Sequence, residues 1–99
     1  KSLETLYEQE KQIAITGNER RRLALAKNKN TSKEILFYLA ENDDSDKVRK
    51  AVALNESTPF HASKALSKDV SQDVRMALAE RLVKKLPDIS ISPSSNRLA

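Results

Sequence analysis

Residues 46–59 read DKVRKAVALNESTP, and residues 73–81 read DVRMALAER, the same residue types in the same order. A weaker third version, RRLALAKNKNT, occupies residues 21–31. Arg22, Arg49 and Arg75 fall in register at spacings of 27 and 26 residues, and Ala26/Ala53/Ala79 and Asn28/Asn55/Arg81 keep the same offsets. Thr31 pairs with Thr58 and Leu39 with Leu66 at 27 residues, and one residue is lost where NDDSDKVR shortens to DVSQDVR. A period of this size holds two short helices and a turn, the unit of a stacked helical array.

The surrounding sequence supports helices throughout. There is one glycine and there are three prolines, β-branched runs are nearly absent, and apolar residues recur three and four positions apart. Residues 2–15 are expected to form an amphipathic helix burying Leu3, Leu6, Tyr7, Ile13 and Ala14, broken by Thr16-Gly17-Asn18. A second helix is expected over 19–27. Thr31 with Glu34 spells a capping box for a third, whose apolar stripe is Ile35, Leu36, Leu39 and Ala40. The acidic turn NDDSD leads into a fourth helix over 46–54, closed by Asn55 in a left-handed conformation. Thr58 as cap and Pro59 at the first helical position start the fifth. A sixth covers 72–86, stopped by Pro87. The Ser- and Pro-rich residues 87–99 read as a flexible tail.

The repeat assigns roles. Val48 and Val74, with Val52 and Leu78 four residues on, make a seam facing the partner helix. Ala51 and Ala77 allow close helix approach. Arg22, Arg49 and Arg75 can lay their stems across the next unit and reach an acidic turn, with Asp46 and Asp73 as the expected carboxylates. Asn28 and Asn55 read as helix terminators.

VRKAVALNESTP followed by LSKDVSQDVRMALAER resembles the leucine-rich repeat variant family, and more broadly HEAT-like repeats. The likeness covers residues 21–82 and departs from the pattern in the first copy, where Arg21 replaces the valine and Asn-Thr-Ser replaces Thr-Pro. It implies an all-α fold: a right-handed α-α superhelix, or solenoid, of about three helical pairs. The corresponding domain spans residues 1–86, with units at 19–45, 46–71 and a partial 72–86.

Composition bounds the function. The chain has 99 residues, no cysteine and one histidine, His61. Thiolate metal sites, disulfides and thiol nucleophiles are thereby excluded. Asp43, Asp44 and Asp46 lack the glycine and terminal glutamate of a calcium loop. The serines are read as lacking a general base to activate them, and no Gly-rich phosphate loop exists. No enzyme and no cofactor are expected. No apolar run approaches the ~20 residues that span a bilayer, so no membrane insertion is expected, and the cytoplasm is the expected location. The start at Lys1 rather than Met fits a fragment of a longer protein.

Net charge is +4, concentrated in residues 1–30, which hold seven basic and four acidic side chains. Positions that must pack stay similar between copies, whereas exposed ones drift. The drifting positions on the second helices include Leu23, Lys27, Lys47, Lys50, Leu54 and Met76, which share one face and are expected to bind a protein partner. The alternative is nucleic-acid binding through the basic patch Arg20, Arg21, Arg22, Lys27 and Lys29.

Overall fold

The computed structural model describes residues 3–85, with side chains from residue 6 onward. The tail at 87–99 and the expected stop at Leu86-Pro87 lie outside the described residues. Within them the chain is all-helical, with no strands: α1 (Leu3–Thr16), α2 (Glu19–Lys27), α3 (Lys33–Asn42), α4 (Asp46–Leu54), α5 (Phe60–Leu66) and α6 (Gln72–Lys85). In one row α2 packs on α4 and α4 on α6; in the other α1 touches α3 and α3 packs on α5. Contacts of α3 with α4, and of α5 with α4 and α6, join the rows.

The core lies between the rows. Leu36, Leu39 and Leu66 face Val48, Val52 and Val74, all essentially without solvent exposure. Full burial of each such side chain contributes about 1.5–3 kcal/mol, which makes this seam the main stabilising feature of so small a chain. Ala26, Ala51, Ala53 and Ala77 are buried as well, and their small size lets α2, α4 and α6 lie close together. The seam Val48/Val52/Val74/Leu78 and the stripe Ile35/Leu36/Leu39/Ala40 are buried throughout.

The first helix differs from expectation. Ala14 is buried and Tyr7 and Ile13 are partly so, but Leu6 is half-exposed. The side chain of Leu3 is outside the description. Among the described residues α1 packs on α2 and α3, and its apolar stripe extends beyond what they cover. Just past the end of α1, position 17 requires glycine for want of room rather than for its backbone freedom. It has no positive φ, and a Cβ there would stand 2.6 Å from the Ile13 carbonyl oxygen.

Helix starts also differ in detail. Asn18 and Ser45 occupy N-cap positions and accept from the Arg21 and Val48 amides. The capping box at Thr31 and Glu34 does not form: Ser32 holds the N-cap position without a side-chain cap, and its amide donates to Glu10 on α1. Thr31 instead turns inward and donates its hydroxyl to the Leu25 carbonyl at 2.7 Å. Thr58 does the same to Val52 at 2.7 Å, which moves Pro59 to the N-cap position of α5. Both threonines thus close the helix behind them rather than open the one ahead. The carbonyls of Leu25 and Val52 lie near helix C-termini, where each also accepts from the amide of Asn28 or Asn55, so the threonine hydroxyl is a second donor there.

Candidate functional site

Each arginine at the repeated position reaches backward to a carbonyl, and Arg22 and Arg49 also reach forward to a carboxylate. Arg22 donates to the Gly17 carbonyl and makes a two-pronged pair with Asp43, Nε–Oδ2 2.8 Å and Nη2–Oδ1 3.2 Å, with Asp44 also 3.2 Å away. Arg49 donates to the Asp43 carbonyl and pairs with Asp69 at 2.7 and 3.1 Å. Arg75 donates to the Asp69 carbonyl. The arrangement is one line of alternating carbonyls, guanidiniums and carboxylates. Planar guanidinium and carboxylate groups match each other at two points, which gives strength and orientation together.

The carboxylates are Asp43 and Asp69, not Asp46 and Asp73. Asp43 and Asp69 lie in the loops ahead of α4 and α6, where each also accepts from the amide two residues on, Ser45 or Ser71, at 2.9 Å. That turn fixes the carboxylate toward the preceding arginine. Asp46 sits inside the first turn of α4, where it accepts from the Ser71 hydroxyl at 3.3 Å, and Asp73 is exposed on α6. Burial alone would raise the Asp69 carboxyl, but the hydrogen bonds from Arg49 and the Ser71 amide, with the arginine charge, hold it below the ordinary value. Arg49 and Arg22 are correspondingly raised, first by their bonds to Asp69 and Asp43.

A second line runs through Asn55 and Arg81. Asn55 is buried, and its backbone at φ −78°, ψ 122° is extended, not left-handed; Asn28 is likewise extended at −80°, 119°. The Asn55 amide group donates across the unit boundary to the carbonyls of Ala26 (2.8 Å) and Asn28 (3.1 Å). Arg81, at the equivalent position, donates to the Asn55 carbonyl and to Ser63 Oγ. Burial lowers the pKa of Arg81. The asparagine terminates a helix by supplying donors to the previous one. A long side chain can do the same job, which is why arginine substitutes for it.

The opposite side of α4 and α6 is open to solvent. Lys47, Lys50 and Leu54 are exposed on α4, and Met76 on α6; Leu54 and Met76 show 42% and 59% of their surface. Lys50, Met76, Ala77, Ala79 and Val83 line an open groove of about 610 Å³, with Asp73, Glu80 and Lys84 at its edges. Lys27 is exposed on α2, but Leu23 is half-buried against the core and leaves this face. Within the basic patch, Arg20, Arg21, Lys27 and Lys29 are exposed, whereas Arg22 is committed to Asp43 and Asp44. An arginine neutralised in a rung offers little to a phosphate.

Val83, 64% exposed, joins the groove although sequence reasoning did not single it out. The signal was available, since Val83 follows Met76 by seven residues on one helical face. Among the described residues no three His, Asp or Glu side chains gather as a metal site, and His61 is exposed. No described helix is long and apolar enough to cross a membrane. Compared with known proteins, the chain matches no family model, no curated protein and no solved structure.

Proposed function

We propose that this chain is a non-catalytic protein-binding module, a short right-handed superhelix of the leucine-rich repeat variant and HEAT-like kind. Its partner lies along the outward side of α2, α4 and α6. The observation that carries the reading is the pair Leu54 and Met76, exposed apolar side chains set among Lys27, Lys47 and Lys50. Apolar anchors inside a charged rim are the usual make-up of a recognition patch, and the mixed rim here, with Asp73 and Glu80 beside Lys50 and Lys84, favours a segment bearing both charges and one or two large apolar side chains.

Apart from Ala77 at the floor of the groove, the core residues named above do not line this side. A partner can therefore be gained or lost without disturbing Val48, Val52 or the arginine rungs. Recognition on an open groove needs no chemistry beyond shape and charge.

The test is capture of binding proteins by the wild-type chain and by a Lys50→Glu/Leu54→Asp variant, with helicity checked by circular dichroism. Loss of the captured set at unchanged helicity supports the reading; identical capture overturns it. A salt series with generic duplex DNA separates the competing reading. Binding that weakens steeply with salt and disappears on reversing Arg20 and Arg21 would assign this surface to nucleic acid instead.

A further inference from the structure

The three repeated positions do not end alike. Ala26 and Ala53 have no exposed surface, because α4 covers the first and α6 the second, whereas Ala79 is exposed. The side chains of Arg22 and Arg49 are 17% and 14% exposed and hold carboxylates. Arg75 is exposed, and its one side-chain hydrogen bond among the described residues goes to the Asp69 carbonyl. Leu82, at 46% exposure, continues the same side of α6. Beside it a groove of about 450 Å³ runs between α5 and α6, floored by Leu78 and edged by Phe60, itself 77% exposed.

The line of rungs therefore has a direction. At its start Gly17 stands where Asp43 and Asp69 stand later: its carbonyl accepts from Arg22 as theirs accept from Arg49 and Arg75. It carries no carboxylate, and a side chain there would collide with the Ile13 carbonyl. At its finish Arg75 has the forward-reaching guanidinium but no described carboxylate to meet.

We propose that the outer side of α5 and α6, which none of the described residues covers, is a copy of the interface between neighbouring helical pairs, and that its occupant is a further helical pair of the same repeat type, entering through an aspartate turn. The carboxylate would pair with Arg75 and the following helix would lie on Ala79. The start of a second copy of this chain does not meet that need, because Gly17 brings no acid. In sequence, the positions 20 and 21 past Arg75 are Ser95 and Asn96, neither of them acidic. An array whose stability comes from nearest-neighbour interfaces gains from each added unit.

The test inserts a second copy of residues 54–79 between Ala79 and Glu80 of the full chain, which places an aspartate 20 residues after Arg75, as Asp69 follows Arg49. The extended chain should melt at a higher temperature than the parent. Arg75→Ala should lower the Tm of the extended chain by about 5–10 °C and leave that of the parent within about 2 °C. The chain has no cysteine, so single Ala→Cys variants report burial by thiol labelling. Ala79→Cys should label freely in the parent and become as slow as Ala53→Cys in the extended chain. Slow labelling of Ala79→Cys in the parent would mean that this side is already covered, and would overturn the proposal. So would an extended chain that melts below the parent or leaves the Ala79→Cys variant reactive.

Discussion

Arg49 and Asp69, 20 residues apart, meet through two hydrogen bonds of 2.7 and 3.1 Å, with side chains only 14% and 7% exposed. The guanidinium also holds the Asp43 carbonyl, and the carboxylate also holds the Ser71 amide. One ion pair thus fixes the loop before α4, the helix α4 and the loop before α6.

Removing one member of such a pair leaves the other charge desolvated. Asp69→Ala should therefore destabilise the chain by about 3 kcal/mol. The neighbouring acidic change Asp73→Ala, at an exposed position, should cost within about 0.5 kcal/mol. Urea unfolding followed by circular dichroism separates the two; equal losses would mean the rung has no special weight.

The lowered carboxyl of Asp69 makes stability depend on pH in a definite direction. Its folded pKa lies below the unfolded one, so the unfolded chain takes up the proton more readily. The contribution is complete above the unfolded value of about 3.9 and is lost as pH falls through the folded value. Asp69→Asn should accordingly lose most against wild type near neutrality, with the gap narrowing below about pH 4. A gap that stays constant to pH 2 would contradict this assignment.

Asn55 tests what ends α4. A left-handed terminator would be tolerant of, or improved by, glycine. Here the side chain donates to two carbonyls of the preceding unit, so both Asn55→Gly and Asn55→Ala should destabilise by about 1–3 kcal/mol. Asn55→Asp should be worse than Asn55→Ala near neutral pH, because it sets a carboxylate against carbonyl oxygens. Thermal melts of the three variants give the order.

Thr58 and Glu34 distinguish the two readings of the threonines. Thr58→Val keeps the shape but removes one of the two donors to the Val52 carbonyl, the Asn55 amide remaining, for an expected cost of about 1 kcal/mol. Glu34→Ala should be within about 0.5 kcal/mol, since no capping box is present to lose. A larger penalty for Glu34 than for Thr58 would restore the box.

The helices and the buried stripes were legible because they are periodic. Val48, Val52, Val74 and Leu78 recur at the helical spacing, and the interval between copies marks where each unit begins. The exposed residues Lys47, Lys50 and Leu54 were legible for the complementary reason, as positions that differ between copies. Leu23 was misplaced by the same logic: the first copy has α1 rather than another second helix as its predecessor, so an apparently equivalent position becomes half-buried.

What the sequence determined by itself is therefore one-dimensional: six helices, their inward faces and the register of Arg22, Arg49 and Arg75. Tertiary structure decided the partners. Asp46 and Asp73 are nearer in sequence, but it is Asp43 and Asp69 whose turns point a carboxylate two-pronged at an arginine of the preceding unit. The same holds for Asn55, whose side chain and not its backbone closes a helix 27 to 29 residues away. Helical spacing records which side of a helix avoids water. Which polar atoms meet across units depends on where separate loops end in space, and periodicity carries no record of that.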